Sequence, residues 1–173
     1  MNQLHDSTRL VRARHGSRWY LVSVVVVLAA GCRGGKLPTF QDEGKSVADY
    51  RAMLSDRDPD VQARGAFGLS RLGPEARDAV AELVPLLKSP VALTRQNAAL
   101  ALAAIGADAR DAVPALTEAL RDAEWAVRRQ AAIALGAIGA AAKPAVPALK
   151  RLESDPQKPV REAAKQARVQ IGL

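Results

Sequence analysis

Histidine and cysteine are almost absent from this chain of 173 residues, which contains two histidines and one cysteine. His5 and His15 lie near the N-terminus, and Cys32 has no second cysteine to pair with. Zinc sites with His or Cys ligands need several such side chains in one folded region, as do Ser–His and Cys–His nucleophiles. A single cysteine also excludes a disulfide within one chain. We therefore expect no catalytic residue, no metal site and no cofactor.

The first 31 residues have the layout of an export signal. Residues 1–18 carry four arginines against one aspartate, and residues 19–30, WYLVSVVVVLAA, carry no charge. Twelve helical residues span about 18 Å at about 1.5 Å each, which is too short for the roughly 30 Å hydrocarbon core of a bilayer. A basic stretch, a short apolar stretch and then small residues are typical of a secretory signal peptide.

The small residues end in LAAGC (28–32), which resembles a bacterial lipoprotein box, although Ala29 stands where leucine is usual. The resemblance implies cleavage after residue 31 and lipidation of Cys32, and several acyl chains anchor a protein stably. Residues 32–43 would then form a flexible tether. Arg33 in the place of a retention-signal aspartate implies the outer membrane, facing the periplasm, in a Gram-negative host. The alternative for Cys32 is an ordinary reactive or buried cysteine.

A 33-residue period runs through the remainder of the chain. One segment occurs four times, as VQARGAFGLSRLG (61–73), TRQNAALALAAIG (94–106), VRRQAAIALGAIG (127–139) and VREAAKQARVQIG (160–172). A fixed period of about 20–50 residues is typical of stacked-repeat proteins. It predicts one domain over residues 44–173, built from units at 44–73, 74–106, 107–139 and 140–172.

Each unit is predicted to contain two helices. In the third unit Val113, Leu116 and Leu120 follow the i, i+3, i+7 spacing of an amphipathic first helix. The second helix is rich in alanine, which lets neighbouring backbones approach closely, and a glycine follows each copy as a helix stop. Larger side chains at one repeated position are expected to fill the gaps between layers, namely Phe67, Leu100 and Ile133.

The stretch AVPALTEALRDAEWAVRRQAAIALGAIG (112–139) resembles a HEAT repeat, of the short type related to the HEAT-like repeats of phycobilisome lyases. The resemblance covers about residues 44–172. It implies an all-α fold, an α-solenoid of about four two-helix repeats that winds as a right-handed superhelix. A solenoid of this kind presents a concave face to an extended peptide or another protein, and we expect the chain to be a monomer.

In that family an aspartate after the first helix and an arginine early in the second form a ladder between repeats. Both members occur here as Asp122 with Arg128 and as Asp155 with Arg161. The first two units each lack one member, so we expect the ladder to be incomplete in the N-terminal half.

The last unit has a polar outer face. Alanine, isoleucine and leucine at 132, 133 and 135 in the third unit are replaced 33 residues later by Lys165, Gln166 and Arg168. Terminal repeats with a polar outer face are typical of finite solenoids. We therefore expect the stack to end with this unit.

The formal net charge of +7 does not by itself indicate a nucleic-acid-binding protein. Residues 1–31 hold four of the 25 basic residues and one of the 18 acidic ones, so the excess without them is +4. Arginines on the second helices could form a basic stripe, but no aromatic residues lie among them to stack on bases. We expect no nucleic-acid partner, and we assign Arg95 and Arg129 as candidate residues for binding a protein.

Trp125 is a further candidate, because the equivalent positions hold Pro59, Ala92 and Lys158. A tryptophan there is either an exposed anchor for a partner or a cover over the seam between units, and the sequence leaves both interpretations open.

The loop SDRDPD (55–60) contains three aspartates and suggests a calcium site. The favoured interpretation is a turn followed by a helix N-cap at Asp58.

The sequence is compatible with two functions. The first is a lipid-anchored scaffold or adaptor in the bacterial cell envelope that binds other proteins, without enzyme activity of its own. The second is an enzyme or enzyme accessory of the phycobilin-lyase type, or of the HEAT-like type that holds iron through His–Glu pairs. The sequence has no such pairs, and export conflicts with the cytoplasmic location that a lyase needs.

Cys32→Ala should abolish lipidation. We expect the wild-type chain to incorporate radiolabelled fatty acid and to sediment with membranes, whereas the variant does neither. Equal labelling of the two chains would contradict the lipoprotein interpretation.

Overall fold

The computed structural model describes residues 45–172, so the predicted signal peptide, Cys32 and the tether lie outside the described residues. This part of the chain consists of helices, with no β-strand. The α-helices are α1 (Val47–Leu54), α2 (Pro59–Leu72), α3 (Val80–Leu86), α4 (Ala92–Ile105), α5 (Val113–Ala119), α6 (Trp125–Ile138), α7 (Val146–Leu152) and α8 (Lys158–Ile171). They form four pairs in chain order, which confirms the prediction of an all-α solenoid.

The second helices, α2, α4, α6 and α8, repeat with the period of the sequence. Each has 14 residues and begins 33 residues after the previous one. At the end of α4, Gly106 has φ +72° and its N–H donates to the carbonyl of Leu102. An L-residue rarely adopts that backbone conformation, so glycine is required where the chain turns from one unit into the next.

The first helices of the later units are preceded by a feature that the sequence did not predict. Each of α3, α5 and α7 is preceded by a seven-residue 3₁₀ segment, at Gly73–Ala79, Gly106–Ala112 and Gly139–Ala145. In a 3₁₀-helix residues i and i+3 lie directly above one another. Ala109 and Ala112 have this spacing and are completely buried, as are their equivalents in the other two segments. Each segment therefore buries two alanines three residues apart.

The core lies where the second helices pack side by side. α2 contacts α4, α4 contacts α6, and α6 contacts α8. Leu69, Leu102 and Leu135 occupy one repeated position and are fully buried among alanines. A Cβ on Gly136 would come within 2.9 Å of the Ala167 Cα, so α6 and α8 approach as closely as their backbones allow. The small side chains of the sequence thus permit the stacking.

The apolar character of the stretch from α6 to α7 is explained by this packing. Trp125–Leu152 is long and apolar enough to cross a bilayer by length and composition alone. Gly139, with φ +73°, divides the stretch into α6 and the segment that leads to α7. Half of its most apolar window is buried inside the repeat stack.

The first unit packs a larger side chain against smaller ones. Tyr50 stands where the later units have leucine and is 3% exposed. Opposite it, Gly65 and Gly68 stand where the later units have alanine. A Cβ on Gly68 would overlap the Tyr50 ring, and one on Gly65 would lie 2.8 Å from the Met53 Cβ. Gly68 therefore makes room for the aromatic ring, and Gly65 lets α1 lie close against α2.

Gly68→Ala should destabilise the protein by about 1–3 kcal/mol, because it overpacks the space that the Tyr50 ring fills. Tyr50→Leu in the same chain restores the combination found in the other units and should recover part of that loss. Urea unfolding of the wild type, both single variants and the double variant measures the coupling. Purely additive effects would show that the ring and the glycine do not compensate for each other.

Candidate partner-binding site

The loop between the two helices of a unit is shaped by one carboxylate. Asp122 Oδ1 accepts the N–H of Glu124 at 2.9 Å, and Asp155 Oδ1 accepts the N–H of Gln157 at 2.8 Å. Such a bond to the backbone two residues on is an Asx turn. It holds each carboxylate at the entrance to the second helix and leaves its remaining lone pairs for another donor.

That donor is an arginine of the preceding unit. Arg95 Nε lies 2.7 Å from Asp122 Oδ2, and its Nη2 lies 2.8 Å from Oδ1. Arg128 binds Asp155 in the same bidentate way, with Nε 2.8 Å from Oδ2 and Nη2 3.2 Å from Oδ1. The Arg128 and Asp155 side chains are only 15% and 6% exposed, so water screens the pair little. These two ion pairs connect the second, third and fourth units.

The ladder runs between repeats, and the structure decides which of its members meet. Asp122 and Arg128 belong to one unit and Asp155 and Arg161 to the next, but neither arginine pairs with the carboxylate of its own unit. Arg128 Nη1 donates instead to the main-chain oxygen of Asp122 at 2.8 Å, and Arg161 Nη1 donates to that of Asp155 at 2.8 Å. The carboxylates face the preceding unit because the repeats stack in one direction.

Arg95 therefore has a different role from the one that sequence reasoning assigned. It was a candidate for binding a partner, but its guanidinium binds Asp122 and the main-chain oxygens of Ser89 and Pro90. The side chain is 16% exposed and forms part of the contact between units. It is not available to a partner.

At the contact between the first and second units, uncharged residues occupy both ladder positions. Gln62 occupies the arginine position and Ser89 the aspartate position. Gln62 Nε2 donates to the Asp56 main-chain oxygen at 2.7 Å, and Ser89 Oγ accepts the N–H of Val91 at 3.3 Å. Gln62 and Ser89 thus make the same hydrogen bonds to the nearby main chain as the arginines and aspartates do in later units, but no ion pair joins them. The ladder is thus incomplete at the contact between the first and second units, where both positions hold an uncharged residue.

The ladder lowers the pKa of its carboxyl groups. Hydrogen bonding from Arg128 holds the pKa of Asp155 below its ordinary value, against a smaller opposing effect of burial. At Asp122 burial is the largest influence and raises the pKa. The hydrogen bonds from Arg95 and the Glu124 N–H, with the positive charges of Arg95 and Arg128, outweigh it, so the pKa is lowered. Both carboxylates are therefore ionised and paired at neutral pH.

The second helices expose one surface with large apolar side chains. Trp125 at the start of α6 is 44% exposed, and Leu93 near the start of α4 is 52% exposed. Trp125 is therefore not buried in the seam between units. Leu93 was not predicted as a site residue, because a single leucine in a helix does not indicate whether its side chain is exposed.

Other side chains extend this surface along the helices. Arg129 is exposed and lies one turn after Trp125 on the same face of α6. The predicted gap-filling residues Phe67, Leu100 and Ile133 are half-buried, so they form a partly exposed apolar row across α2, α4 and α6. We call the set Phe67, Leu93, Leu100, Trp125, Arg129 and Ile133 the second-helix face.

The aspartates at 55–60 serve the turn. Asp56 Oδ1 accepts the N–H of Asp58 at 2.8 Å, and Asp58 Oδ1 accepts the N–H of Asp60 at 2.9 Å. Asp58 is the N-cap of α2, as predicted. Within residues 45–172, no group of three or more His, Cys, Asp or Glu side chains is arranged to hold a metal ion.

Comparison with known proteins relates the fold to one family. The family model for HEAT repeats matches residues 48–122 and 107–167. No curated protein matches the chain with significance.

Several solved structures are similar to this chain. A designed armadillo repeat protein in complex with a (KR)4 peptide has 20% identity and a TM-score of 0.65, with 72% of this chain and 64% of that one covered. Human deoxyhypusine hydroxylase in complex with glycerol has 32% identity and a TM-score of 0.56, with 75% and 44% covered. The CpcE–CpcF complex of phycocyanin lyase from Nostoc has 21% identity and a TM-score of 0.57, with 70% and 79% covered. This chain thus spans less than two thirds of the first two, and the first and third show the fold alone.

Asp155→Asn should reduce the free energy of unfolding at pH 7 by about 1–3 kcal/mol, because Arg128 loses a charged, buried acceptor. The pKa of Asp155 is lowered by folding, so the contribution is fully present above an ordinary Asp pKa of about 4 and is lost as the pH falls further. Urea unfolding at several pH values should show wild type and variant converging below about pH 4.

The matched control is Glu118→Gln. Glu118 pairs with Lys88 at 3.0 Å, but both side chains are about two-thirds exposed. An exposed pair contributes about 0–1 kcal/mol, so this variant should unfold almost as the wild type does. A difference between Asp155→Asn and wild type that persists unchanged in acid would contradict the role of the ion pair.

Proposed function

Because this chain belongs to the HEAT-repeat family, we propose that it is a scaffold that holds another protein, or an extended peptide, on its second-helix face. The lipid on Cys32 would anchor the repeats in the bacterial cell envelope. The chain then acts by binding and carries out no reaction of its own.

The observation that carries this proposal is the exposure of Trp125. A tryptophan that is 44% exposed contributes little to the core of its own fold, yet this residue type is enriched among the side chains that dominate binding energy. Leu93 is exposed near the start of the neighbouring second helix. Two large apolar side chains on one face, beside the exposed Arg129, favour an interaction surface over a purely structural one.

The shape of the partner is suggested by the repeat geometry. HEAT and armadillo repeat folds commonly bind peptides or proteins, and the designed armadillo protein above is in complex with a peptide. Phe67, Leu100 and Ile133 occur once per unit in a row along the stack, so an extended chain could contact each in turn. We therefore favour a partner segment that offers apolar side chains to this row.

Location in the envelope rests on the N-terminal sequence. Residues 1–31 resemble a lipoprotein signal peptide, and Cys32 is the residue that such processing would lipidate. Arg33 favours the outer membrane in a Gram-negative host. Residues 32–43 would then hold the repeats close to the membrane, within reach of periplasmic or membrane proteins.

An enzyme function is the less favoured alternative. Deoxyhypusine hydroxylase and phycocyanin lyase are similar in fold. A site of the kind that holds iron through His–Glu pairs would need histidines in the repeats, and residues 44–173 have none. We propose that this chain shares their architecture and not their chemistry.

Photo-crosslinking tests the proposed face. We expect a photoreactive amino acid at position 125, in the chain expressed in its own host, to give a discrete adduct with a second protein after illumination. The control is the same amino acid at the exposed position of Arg110, in the 3₁₀ segment of the same unit. Adducts from both positions, or from neither, would contradict a partner site at Trp125.

A further inference from the structure

The arginines of the ladder share one anchoring geometry. Nη1 of Arg95 donates to main-chain oxygens at 2.9 and 3.2 Å, and Nη1 of Arg128 does so at 2.8 and 2.9 Å. Arg161 repeats this arrangement at 2.8 and 3.0 Å. The acceptors are always the two residues that lead into the second helix. Each guanidinium is therefore held by its own unit whether or not it also forms an ion pair.

The anchoring directs the remaining donors toward the next layer of the stack. In Arg95 and Arg128 it leaves Nε and Nη2 to form the fork that binds a carboxylate of the following unit. The fork of Arg161 has the same atoms and the same anchor. No carboxylate among residues 45–172 forms an ion pair with it.

We propose that the Arg161 fork is a carboxylate-binding site and that the exposed face of α8 docks an acidic segment of a partner protein. The carboxylate would bind Nε and Nη2 in the bidentate geometry that Asp122 and Asp155 show one and two units earlier. A planar fork of this kind matches a carboxylate specifically, because it donates two parallel hydrogen bonds.

The surroundings of the fork select for an acidic partner. Lys158 and Lys165 are exposed on α8 at spacings of three and four residues from Arg161, so the three cations share one helix face. Lys165 has a single distant partner in Glu162, at 4.0 Å. A segment with several carboxylates would satisfy the fork and both ammonium groups together.

The same residues argue against a further repeat of the internal kind in this place. Lys165 and Arg168 occupy the positions of Ala132 and Leu135, which are completely buried where α6 packs on α8. A neighbour packed in the internal manner would bury the Lys165 charge with only the distant Glu162 as counter-ion, which is costly. These charges therefore favour an occupant that brings carboxylates over an apolar helix packed in the internal manner.

This site is separate from the proposed function. The second-helix face is apolar around Trp125, whereas the α8 face is cationic and lies toward the end of the stack. Either site can exist without the other, so their tests are independent.

Fluorescence anisotropy with the purified full chain in detergent tests the proposal. The probe is a fluorescein-labelled octapeptide of alternating aspartate and glutamate, and its counterpart is the corresponding peptide of asparagine and glutamine. We expect saturable binding of the acidic peptide at low salt, weakening as salt is added, and none of the amide peptide. Arg161→Gln should weaken binding roughly tenfold, the effect of losing one charge-assisted bidentate contact.

Two further variants separate the fork from simple charge. Arg161→Lys keeps the charge but cannot donate two parallel bonds, so it should also bind clearly less tightly than wild type. Arg110→Gln removes an exposed arginine of another unit and should bind as wild type does. Should Arg161→Gln fail to fold, the doubly substituted Lys158→Gln, Lys165→Gln chain, altered only at exposed residues, should show the loss instead.

Three results would overturn the proposal. The first is no binding of the acidic peptide by the wild-type chain. The second is wild-type affinity in Arg161→Lys, which would reduce the site to unspecific charge. The third is preferential binding of phosphatidylglycerol vesicles that is lost in the same variants, which would make the occupant a membrane surface and not a protein carboxylate.

Discussion

Close approach of the second helices is the constraint on which this structure depends. A pair of short helices cannot bury its apolar side by itself, so each unit is completed by its neighbours. At the contact of α6 with α8, Gly136 faces Ala167 with no room for a side chain between them. Because backbones meet at such positions, the alanines and glycines of the repeats are requirements of packing.

The ion pairs act within that framework and orient it. Arg95 and Arg128 are each anchored by their own unit and bind the aspartate of the next. A buried pair adds little net stability over an apolar contact, but it disfavours wrong arrangements because an unpaired charge is costly. Between the first and second units the ion pair is missing, and both ladder positions, Gln62 and Ser89, are uncharged. No charge is therefore left without its partner there.

The two proposed binding surfaces differ in chemistry. The second-helix face contains large apolar side chains that the core does not bury, such as Trp125 and Leu93. On the α8 face, positions that are apolar in the third unit are cationic, as at Lys165. An apolar partner segment and an acidic one would therefore bind at different places on one scaffold.

Sequence reasoning reached the architecture because its evidence is local and repeated. The glycine stops and the N-cap at Asp58 depend on residues a few positions away, and the period of 33 repeats the helix pattern in every unit. Each of these features occurs as predicted. The 3₁₀ segments were missed, although Ala109 and Ala112 carry their three-residue spacing, because an α-helix also tolerates that spacing.

By itself the sequence determined the repeat, its helices and the lack of histidine in residues 44–173, since these depend only on residue types and spacing. Only the tertiary structure decided which arginine meets which aspartate. In a periodic chain Asp122 has one ladder arginine six residues after it and another 27 residues before it, and pattern alone does not distinguish them. The direction of stacking does, because it turns the carboxylate toward Arg95 and leaves the fork of Arg161 without a carboxylate among the described residues.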